Sequence, residues 1–430
     1  MSDTRIAGVH GRRVWDSRGR PTVEAELRLA GGAVGRAIAP AGASTGSAEA
    51  IELRDGGARL GGRDVQAAVA AINGEIVKAL IGQDAADQAA IDRRLIELDG
   101  MPQKRRLGGN ALVAVSMAAL HAAANAAGRP LYAHLLGEST EAMMPLPEIQ
   151  IFGGGAHAGR RVDIQDFMIV APEARSFDQA LEWSAEVYRA AGELMAECGV
   201  LQGVADEGGF WPAFDSNEAA LDALMRAIER AGFTPGQEIA ISLDIAASEF
   251  HQNGFYRLTR DGRTLDSDGM AEMLMSLLDR YPIVSIEDPL GEHDAEGLRR
   301  FTAAAGDKVQ IVGDDFLVTN AERVKNAASL GICNAVLVKP NQAGTITETK
   351  AALEAARAAG WGAIVSARSG ETEDVTIVHL AIGWGAGQLK VGSFARSERM
   401  AKWNEALRIE EALGPRARFA GGAPLKLSSQ

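Results

Sequence analysis

The stretch Ile283–Asp288, which reads IVSIED, decides the fold of this 430-residue chain. It is an apolar, β-branched run of strand length that stops abruptly in two acids, and a helical pattern follows it. The same arrangement occurs at Val309–Asp315 (VQIVGDD) and, earlier, at Ile239–Asp244 (IAISLD). An apolar run that ends in a carboxylate is typical of a buried parallel strand carrying charge to the open end of a sheet or barrel. We therefore expect these acids to meet at one edge of a parallel sheet.

From residue 239 onwards the predicted strands and helices alternate. The strands lie at 239–244, 283–287, 309–314, 335–339, 361–366 and 388–391, and a last helix lies near 398–413. Six such units predict either a closed β/α barrel or an open doubly wound sheet. Because no G-x-G-x-x-G motif follows the first strand, the doubly wound sheet is disfavoured and we predict the barrel.

The residues before the barrel predict a smaller α+β domain. Residues 1–40 read as an antiparallel meander, and apolar residues at helical spacing follow at Val65–Leu80, Ala85–Leu98 and Asn110–Ala127. Pro130 ends this run, so we place the first domain at residues 1–135 and the catalytic barrel domain at 136–430. Residues 136–150 are expected to form a linker between them, and Gln165–Val170 (QDFMIV) to form a further strand.

Composition excludes several classes of protein. The net charge of −13 disfavours a nucleic-acid partner, because no basic stripe offsets the acids. Cys198 and Cys333 lie far apart and lack zinc-site spacing, so we expect reduced thiols. The N-terminus has no apolar signal-peptide core, and no window reaches 18 uninterrupted apolar residues. We expect a cytoplasmic protein that does not span a membrane.

Polar residues at the carboxyl ends of barrel strands are usually catalytic. Here those ends are expected to supply Asp166, Asp244, Glu287, Asp314, Lys339, Arg368, Ser369 and Lys390. Converging carboxylates repel one another, and Mg²⁺ resolves the conflict because it prefers carboxylate oxygens. The alternative is a purely structural network in which the acids pair with the lysines and the arginine.

The lysines suggest the reaction class. A lysine beside a cation and away from water is pushed towards its neutral form, in which it can act as a general base. Carboxylates, a hard metal and a lysine base suit removal of a proton next to a carboxylate, with the metal stabilising the enolate. Arg368 and Ser369 could bind a phosphate, and the loop Gly42–Thr45 (GAST) could close over the site as a lid.

At this point the chain resembles the enolases over almost its whole length. The matching motifs are DSRGRPTVE (16–24), GAST (42–45), DEGGF (206–210), SLDIAASEF (242–250), SIEDP (285–289), GDD (313–315), VKPNQ (338–342), RSGETED (368–374) and RSERMAKWNEALRIEEAL (396–413). The resemblance implies an N-terminal α+β domain, a TIM-like barrel, two Mg²⁺ ions per active site and a homodimer.

The resemblance also implies roles for individual residues. Asp244, Glu287 and Asp314 would hold the tighter Mg²⁺, and the loop of Ser44 would contribute to a second one brought by the substrate. Lys390 would be the base for the C2 proton, and Lys339 would stabilise charge beside it. The remaining implied residues are Glu207 and Asp166, near the leaving hydroxyl, His157, which closes over the site, and Arg368 with Ser369, which hold the phosphate.

Three positions depart from the enolase pattern: Asp166 stands where enolases carry Glu, Ala367 where they carry His, and Ala156 where they carry Ser. An Asp is one methylene shorter than Glu, which withdraws the carboxylate by roughly 1.5 Å and is enough to lose a direct hydrogen bond. The residues for enolate chemistry are retained, whereas the part that handles the leaving hydroxyl has lost polar groups.

We therefore predict a specialised enolase paralogue acting on a phosphorylated or phosphonylated carboxylate. The specific candidate is an enzyme resembling carboxyphosphonoenolpyruvate synthase of phosphonate and phosphinate biosynthesis. The active site of such an enzyme needs room for a larger group. The alternative is an ordinary phosphopyruvate hydratase of glycolysis. A third interpretation is a catalytically inactive binding protein, which the retained lysines and metal acids disfavour.

Overall fold

A three-stranded antiparallel sheet forms the base of the N-terminal part of the chain. The computed structural model describes residues 3–139, 141–211 and 214–425. The outer ends of the two predicted domains, residues 1–2 and 426–430, therefore lie outside the described residues. The sheet strands are β1 (Ile6–Trp15), β2 (Pro21–Leu29) and β3 (Val34–Ile38). This arrangement confirms the predicted meander.

α-Helices follow the sheet in the chain, and the longest of them packs against β2 and β3. They are α1 (Gln66–Ala71), α2 (Val77–Leu80), α3 (Gln88–Asp99), α4 (Gly109–Ala126) and α5 (Leu131–Leu136), with a π-helical turn at Ile72–Ile76 between α1 and α2. Helix α4 is rich in alanine and almost wholly buried, which lets its backbone approach β3 closely. A Cβ atom on Gly35 of β3 would lie 2.1 Å from the carbonyl oxygen of Ala118, so this contact requires glycine.

Eight strands close into a barrel, as predicted. Around the barrel they follow the order β11, β12, β13, β14, β15, β5, β6 and β7. Their bounds are β5 (Leu146–Gly153), β6 (Asp166–Val170), β7 (Ala240–Asp244), β11 (Ile283–Glu287), β12 (Gln310–Gly313), β13 (Ala335–Val338), β14 (Gly362–Ser366) and β15 (Gly387–Gly392).

Two features of the barrel differ from the sequence analysis. The predicted linker at residues 136–150 contains the first half of β5, whose eight residues are all buried. Strand β6 runs antiparallel to both of its neighbours, β5 and β7. Asp166 therefore begins its strand instead of ending it, and it still reaches the carboxyl-end mouth because the strand is reversed.

Helices surround the barrel, and most of them begin at a side-chain cap. They are α6 (Phe177–Glu197), α7 (Asn217–Arg230), α8 (Ser267–Arg280), α9 (Ala295–Ala305), α10 (Ala321–Leu330), α11 (Pro340–Ala343), α12 (Ile346–Ala358), α13 (Thr376–Trp384) and α14 (Ser397–Leu413). The caps of α6, α8 and α12 are Ser176, Asp266 and Thr345. Within the described ranges, no helix combines the length and the apolarity that crossing a membrane demands.

Short strands complete the chain. A small antiparallel sheet of β8 (His251–Gln252), β9 (Phe255–Leu258) and β10 (Arg263–Leu265) follows β7. Near the C-terminus, β16 (Ala417–Phe419) pairs with β4 (Ala142–Met144), which precedes the barrel.

The side chain of Asp92 joins the N-terminal helices to the barrel. Its buried carboxylate on α3 accepts hydrogen bonds from Ser116 Oγ at 2.5 Å and Gln88 Nε2 at 3.0 Å. It also accepts from the backbone nitrogen of Thr347 at 2.8 Å and from Thr347 Oγ1 at 2.6 Å. Thr347 lies in the first turn of α12, where the helix dipole favours a negative charge. These hydrogen bonds hold α3 of the N-terminal domain against the helix Ile346–Ala358 of the barrel domain.

Candidate active site

Lys390 lies at the centre of a buried group of carboxylates at the barrel mouth. Its Nζ is 2.7 Å from Glu287 Oε2, 3.2 Å from Asp244 Oδ2 and 3.4 Å from Asp166 Oδ2. Burial alone would lower the pKa of Lys390, but Asp244 and Glu287 together raise it well above its usual value. This differs from the expected shift towards a neutral lysine, because the groups that contact its ammonium are anions.

The third predicted metal ligand, Asp314, bonds to the second lysine. Lys339 Nζ donates to Asp314 Oδ2, and Gln342 Nε2 donates to Asp314 Oδ1 at 2.8 Å. Burial opposes ionisation of Asp314, yet Lys339 and Arg368 hold its pKa below the usual value. By contrast, burial and the neighbouring charge of Asp244 raise the pKa of Glu287 well above normal. The three predicted metal ligands thus lie at the same end of the barrel. Asp244 and Glu287 contact the ammonium of Lys390, and Asp314 contacts that of Lys339.

Asp314 also belongs to a tighter acidic group that the sequence analysis missed. Ligand oxygens of Asp288, Asp314 and Asp315 lie within 4.8 Å of one another, and all three residues are buried. The carboxylate of Asp288 accepts the backbone N–H groups of Asp314 and Asp315, each at 2.9 Å. Burial and mutual repulsion raise the pKa of Asp288 and of Asp315 well above normal. Both acids stand in the motifs IVSIED and GDD, so their pairing was visible in the sequence.

This donor set fits a hard divalent cation. The buried oxygens are carboxylates, the ligands that Mg²⁺ prefers, and burial together with neighbouring acids raises the pKa of Glu287, Asp288 and Asp315, so that a divalent cation would favour their ionised forms. Asp244, Glu287 and Asp314 remain the predicted ligands.

A second buried group lies beside Asp166. His157 Nδ1 is 3.4 Å from Asp166 Oδ1 and 3.9 Å from Glu207 Oε1, and His157 Nε2 is 3.1 Å from Ser369 Oγ. Burial opposes protonation of His157, but Glu207 and Asp166 outweigh it and raise the pKa of His157 to about 9. The imidazole is therefore a cation between two carboxylates. Four predicted residues, His157, Asp166, Glu207 and Ser369, are brought together here.

The shorter side chain at Asp166 does not isolate that carboxylate. One oxygen faces Lys390 and the other faces His157 and the amide of Gln150. These contacts, with His157 the strongest attraction, overcome burial and hold the pKa of Asp166 below its usual value. We expected the shorter side chain to lose a direct hydrogen bond, and the carboxylate nevertheless accepts one from Gln150 Nε2. Ala367 is buried, and its backbone N–H donates to the carbonyl oxygen of Lys390 at 2.9 Å.

The predicted lid contacts the predicted phosphate arginine. Arg368 Nη2 donates to the carbonyl oxygen of Ser44 at 2.9 Å, and Nη1 donates to Asn341 Oδ1 at 3.1 Å. A Cβ atom on Gly42 would lie 2.2 Å from Arg368 Nη2, so the loop can pass over the guanidinium only with glycine there. The GAST loop is closed on the site through its backbone.

Glu49 is a further residue that sequence reasoning missed. Its carboxylate accepts from Arg368 Nη1 at 3.0 Å and from Nη2 at 3.3 Å, and both residues are buried. Burial lowers the pKa of Arg368, but Glu49 and Asp314 more than compensate and raise it. The motif TGSAEA, which follows the lid, gave no sign that this acid reaches the barrel.

Comparisons with known proteins agree with this geometry. The model of the enolase N-terminal domain matches residues 6–135, and the model of the enolase C-terminal TIM barrel domain matches residues 141–427. The chain is also similar to a protein described as Enolase 1 from Desulfitobacterium hafniense (strain Y51). The two are 50% identical over 422 residues, which cover 97% of this chain and 96% of that protein. The closed barrel, the acidic mouth with its two lysines and these matches together show that the chain belongs to the enolase family.

Proposed function

We propose that this protein is a Mg²⁺-dependent phosphopyruvate hydratase, which converts 2-phosphoglycerate to phosphoenolpyruvate and water. The observation that carries the proposal is the contact of Asp166 with both Lys390 and His157. Through it, a lysine able to accept the C2 proton and a protonated imidazole able to assist the leaving hydroxyl lie in one buried cluster. The 50% identity to a protein named Enolase 1 supports the same reaction.

Each half of the reaction has its own residues in this proposal. Lys390 removes the C2 proton after its ammonium has given its own proton to solvent, and Lys339 stabilises negative charge beside it. Glu207 and the imidazolium of His157 supply the proton that lets the C3 hydroxyl leave as water. Arg368 and Ser369 bind the phosphate, and the loop carrying Ser44 excludes water.

Asp244, Glu287 and Asp314 are proposed to hold one Mg²⁺, and the loop of Ser44 to contribute to a second. Bound Mg²⁺ supplies positive charge that stabilises the enolate. A calorimetric titration with MgCl₂ tests this assignment, because Asp244→Asn should weaken binding. A protein that binds no Mg²⁺ would instead support the inactive binding protein.

A second candidate function rests on Ala367 and Asp166. Both side chains are shorter than those of the enolase pattern, and a site that has lost polar groups near the leaving hydroxyl would suit a larger leaving or accepting group, as in carboxyphosphonoenolpyruvate synthase, although Gln150 occupies the space beside Asp166. The comparisons support enolase-type activity and add nothing in favour of this specialised reaction.

The decisive experiment is formation of phosphoenolpyruvate from 2-phosphoglycerate, followed by its absorbance. Turnover on the order of 1–10³ s⁻¹ is expected for the hydratase. Turnover lower by several orders of magnitude, with a gain in the variant Ala367→His, would reject the hydratase in favour of the specialised enzyme.

Three further properties are part of the proposal. The division into domains at 1–135 and 136–430 is supported by the separate matches at 6–135 and 141–427. A cytoplasmic homodimer and a small phosphorylated carboxylate as substrate are in keeping with membership of the enolase family.

A further inference from the structure

The amide of Gln150 lies between Asp166 and the loop that carries Glu207. Gln150 belongs to β5 and is fully buried. Its Nε2 donates to Asp166 Oδ1, and its Oε1 accepts the backbone N–H of Gly209 at 2.9 Å. A carboxylate can only accept and a backbone N–H can only donate, so these two partners fix the orientation of the amide.

Gly209 follows Glu207 by two residues in the DEGGF loop, so the amide ties that loop to Asp166. The approach is close at both ends. A Cβ atom on Gly209 would lie 2.4 Å from Gln150 Oε1, and a Cβ atom on Gly153 would lie 3.2 Å from Gln150 Nε2. A Cβ atom on Gly209 would therefore displace the amide, whereas one on Gly153 would meet Ala205 Cβ first, at 2.8 Å. The loop thus rests directly on Gln150.

We propose that Gln150 is a positioning residue that sets the distance between Asp166 and the loop of Glu207. The inference rests on the hydratase function proposed above and adds a residue to it. The two other polar contacts of the Asp166 carboxylate, to Lys390 and to His157, are both 3.4 Å long. Among the residues that the structure describes, the Gln150 amide is the group that hydrogen-bonds both this carboxylate and the loop.

The test is the variant Gln150→Leu, which keeps the size of the side chain but removes both hydrogen bonds. We expect kcat to fall by about 10²-fold, the effect of misplacing a reacting group by roughly 1 Å. KM for 2-phosphoglycerate should change little, because Arg368 and Ser369 are untouched.

Gln310→Leu is the matched control. Gln310 is a buried glutamine of barrel strand β12 that bonds Ser285 Oγ at 3.0 Å and Gln388 at 2.8 Å, away from the acids. Gln310→Leu should lower thermal stability as Gln150→Leu does but leave kcat unchanged. Equal kcat values for the two variants would overturn the proposal.

A second test changes the lengths of the Asp166 and Gln150 side chains. Asp166→Glu adds a methylene where Gln150 already fills the gap, and Gln150→Asn removes one from the other side. Each single change should lower kcat, and the double variant should recover most of the loss. If the fold-loss of kcat in the double variant equals the product of the fold-losses in the two single variants, the positioning role is rejected.

A crystal structure of Gln150→Leu keeps this inference separate from the proposed function. The distance from Asp166 Oδ1 to the backbone nitrogen of Gly209, the two atoms that Gln150 bridges here, should lengthen. An unchanged distance overturns the positioning role even if hydratase activity is confirmed. Conversely, a lengthened distance supports it even if the unaltered protein makes no phosphoenolpyruvate.

Discussion

Replacing Glu49 by alanine should destabilise the protein and, at the same time, make it more responsive to phosphate. Glu49 holds the guanidinium of Arg368 through two hydrogen bonds, at 3.0 Å and 3.3 Å. Arg368 is 3% exposed and Glu49 is 5% exposed, so water cannot replace the lost carboxylate easily. The variant therefore leaves a buried cation without its main counter-charge.

The size of the effect follows from these contacts. Removing one partner of a buried ion pair costs about 3–5 kcal/mol. Arg368 keeps hydrogen bonds to the carbonyl oxygen of Ser44 and to Asn341, so we expect a loss near the lower limit, about 3 kcal/mol. A bound phosphate dianion would supply the missing charge. Phosphate should consequently stabilise the variant by about 1.5–3 kcal/mol more than it stabilises the unaltered protein, the contribution of hydrogen bonds to a charged group.

Urea denaturation with and without inorganic phosphate measures both quantities. Sodium chloride at matched ionic strength separates specific binding from screening. The control variant is Asp92→Asn, which weakens another buried acid between the same two parts of the chain but leaves no cation behind. If phosphate stabilises Glu49→Ala and Asp92→Asn equally, Arg368 is not the anion site and the reasoning fails.

Two other predictions concern stability. Asp92→Asn should cost about 1–3 kcal/mol by urea denaturation, because an NH₂ group in place of Oδ2 cannot accept the hydrogen bond that the backbone N–H of Thr347 donates; a loss below about 0.5 kcal/mol would contradict the role of Asp92 in joining the domains. Burial lowers the pKa of His379 from 6.5 to about 4, so the unfolded chain takes up this proton first and stability falls as pH drops through that window, by about 3 kcal/mol at most. His379→Phe should flatten this part of the pH–stability curve, and an unchanged slope would reassign it to other groups.

Much of the barrel could be predicted from the sequence because its strands are short β-branched runs bounded by turns. The run at 283–287 is β11 itself, and those at 239–244 and 335–339 each exceed their strands by one residue. The reversal of β6 could not be predicted. An apolar run looks the same in either direction, and the acid of QDFM stands at the mouth only because its strand begins there.

Several side chains that end a strand could be predicted from the strand pattern. His157 and Glu207, which lie between strands, were implied only by the resemblance, and Glu49 and Gln150 were missed. Asp244, Glu287 and Lys390 follow from the strand pattern, and the structure brings all three into contact. Glu49 comes from the segment after the lid, more than 300 residues before Arg368 in the chain. Gln150 was hidden because Pro145 and Pro147 made its strand resemble a linker. Such contacts depend on tertiary packing that no local pattern contains.

The double role of Asp166 explains why its length cannot be changed independently of the rest of the site. One of its oxygens faces Lys390, the proposed base, and the other faces His157 and the amide of Gln150. A longer acid would press on Gln150 or lose one of the two cations, so it would disturb both proposed steps, proton removal and hydroxyl departure. Restoring the glutamate of other enolases should therefore lower turnover on its own, and shortening Gln150 as well should recover most of that loss. A gain from Asp166→Glu alone would show that the two halves of the site are independent.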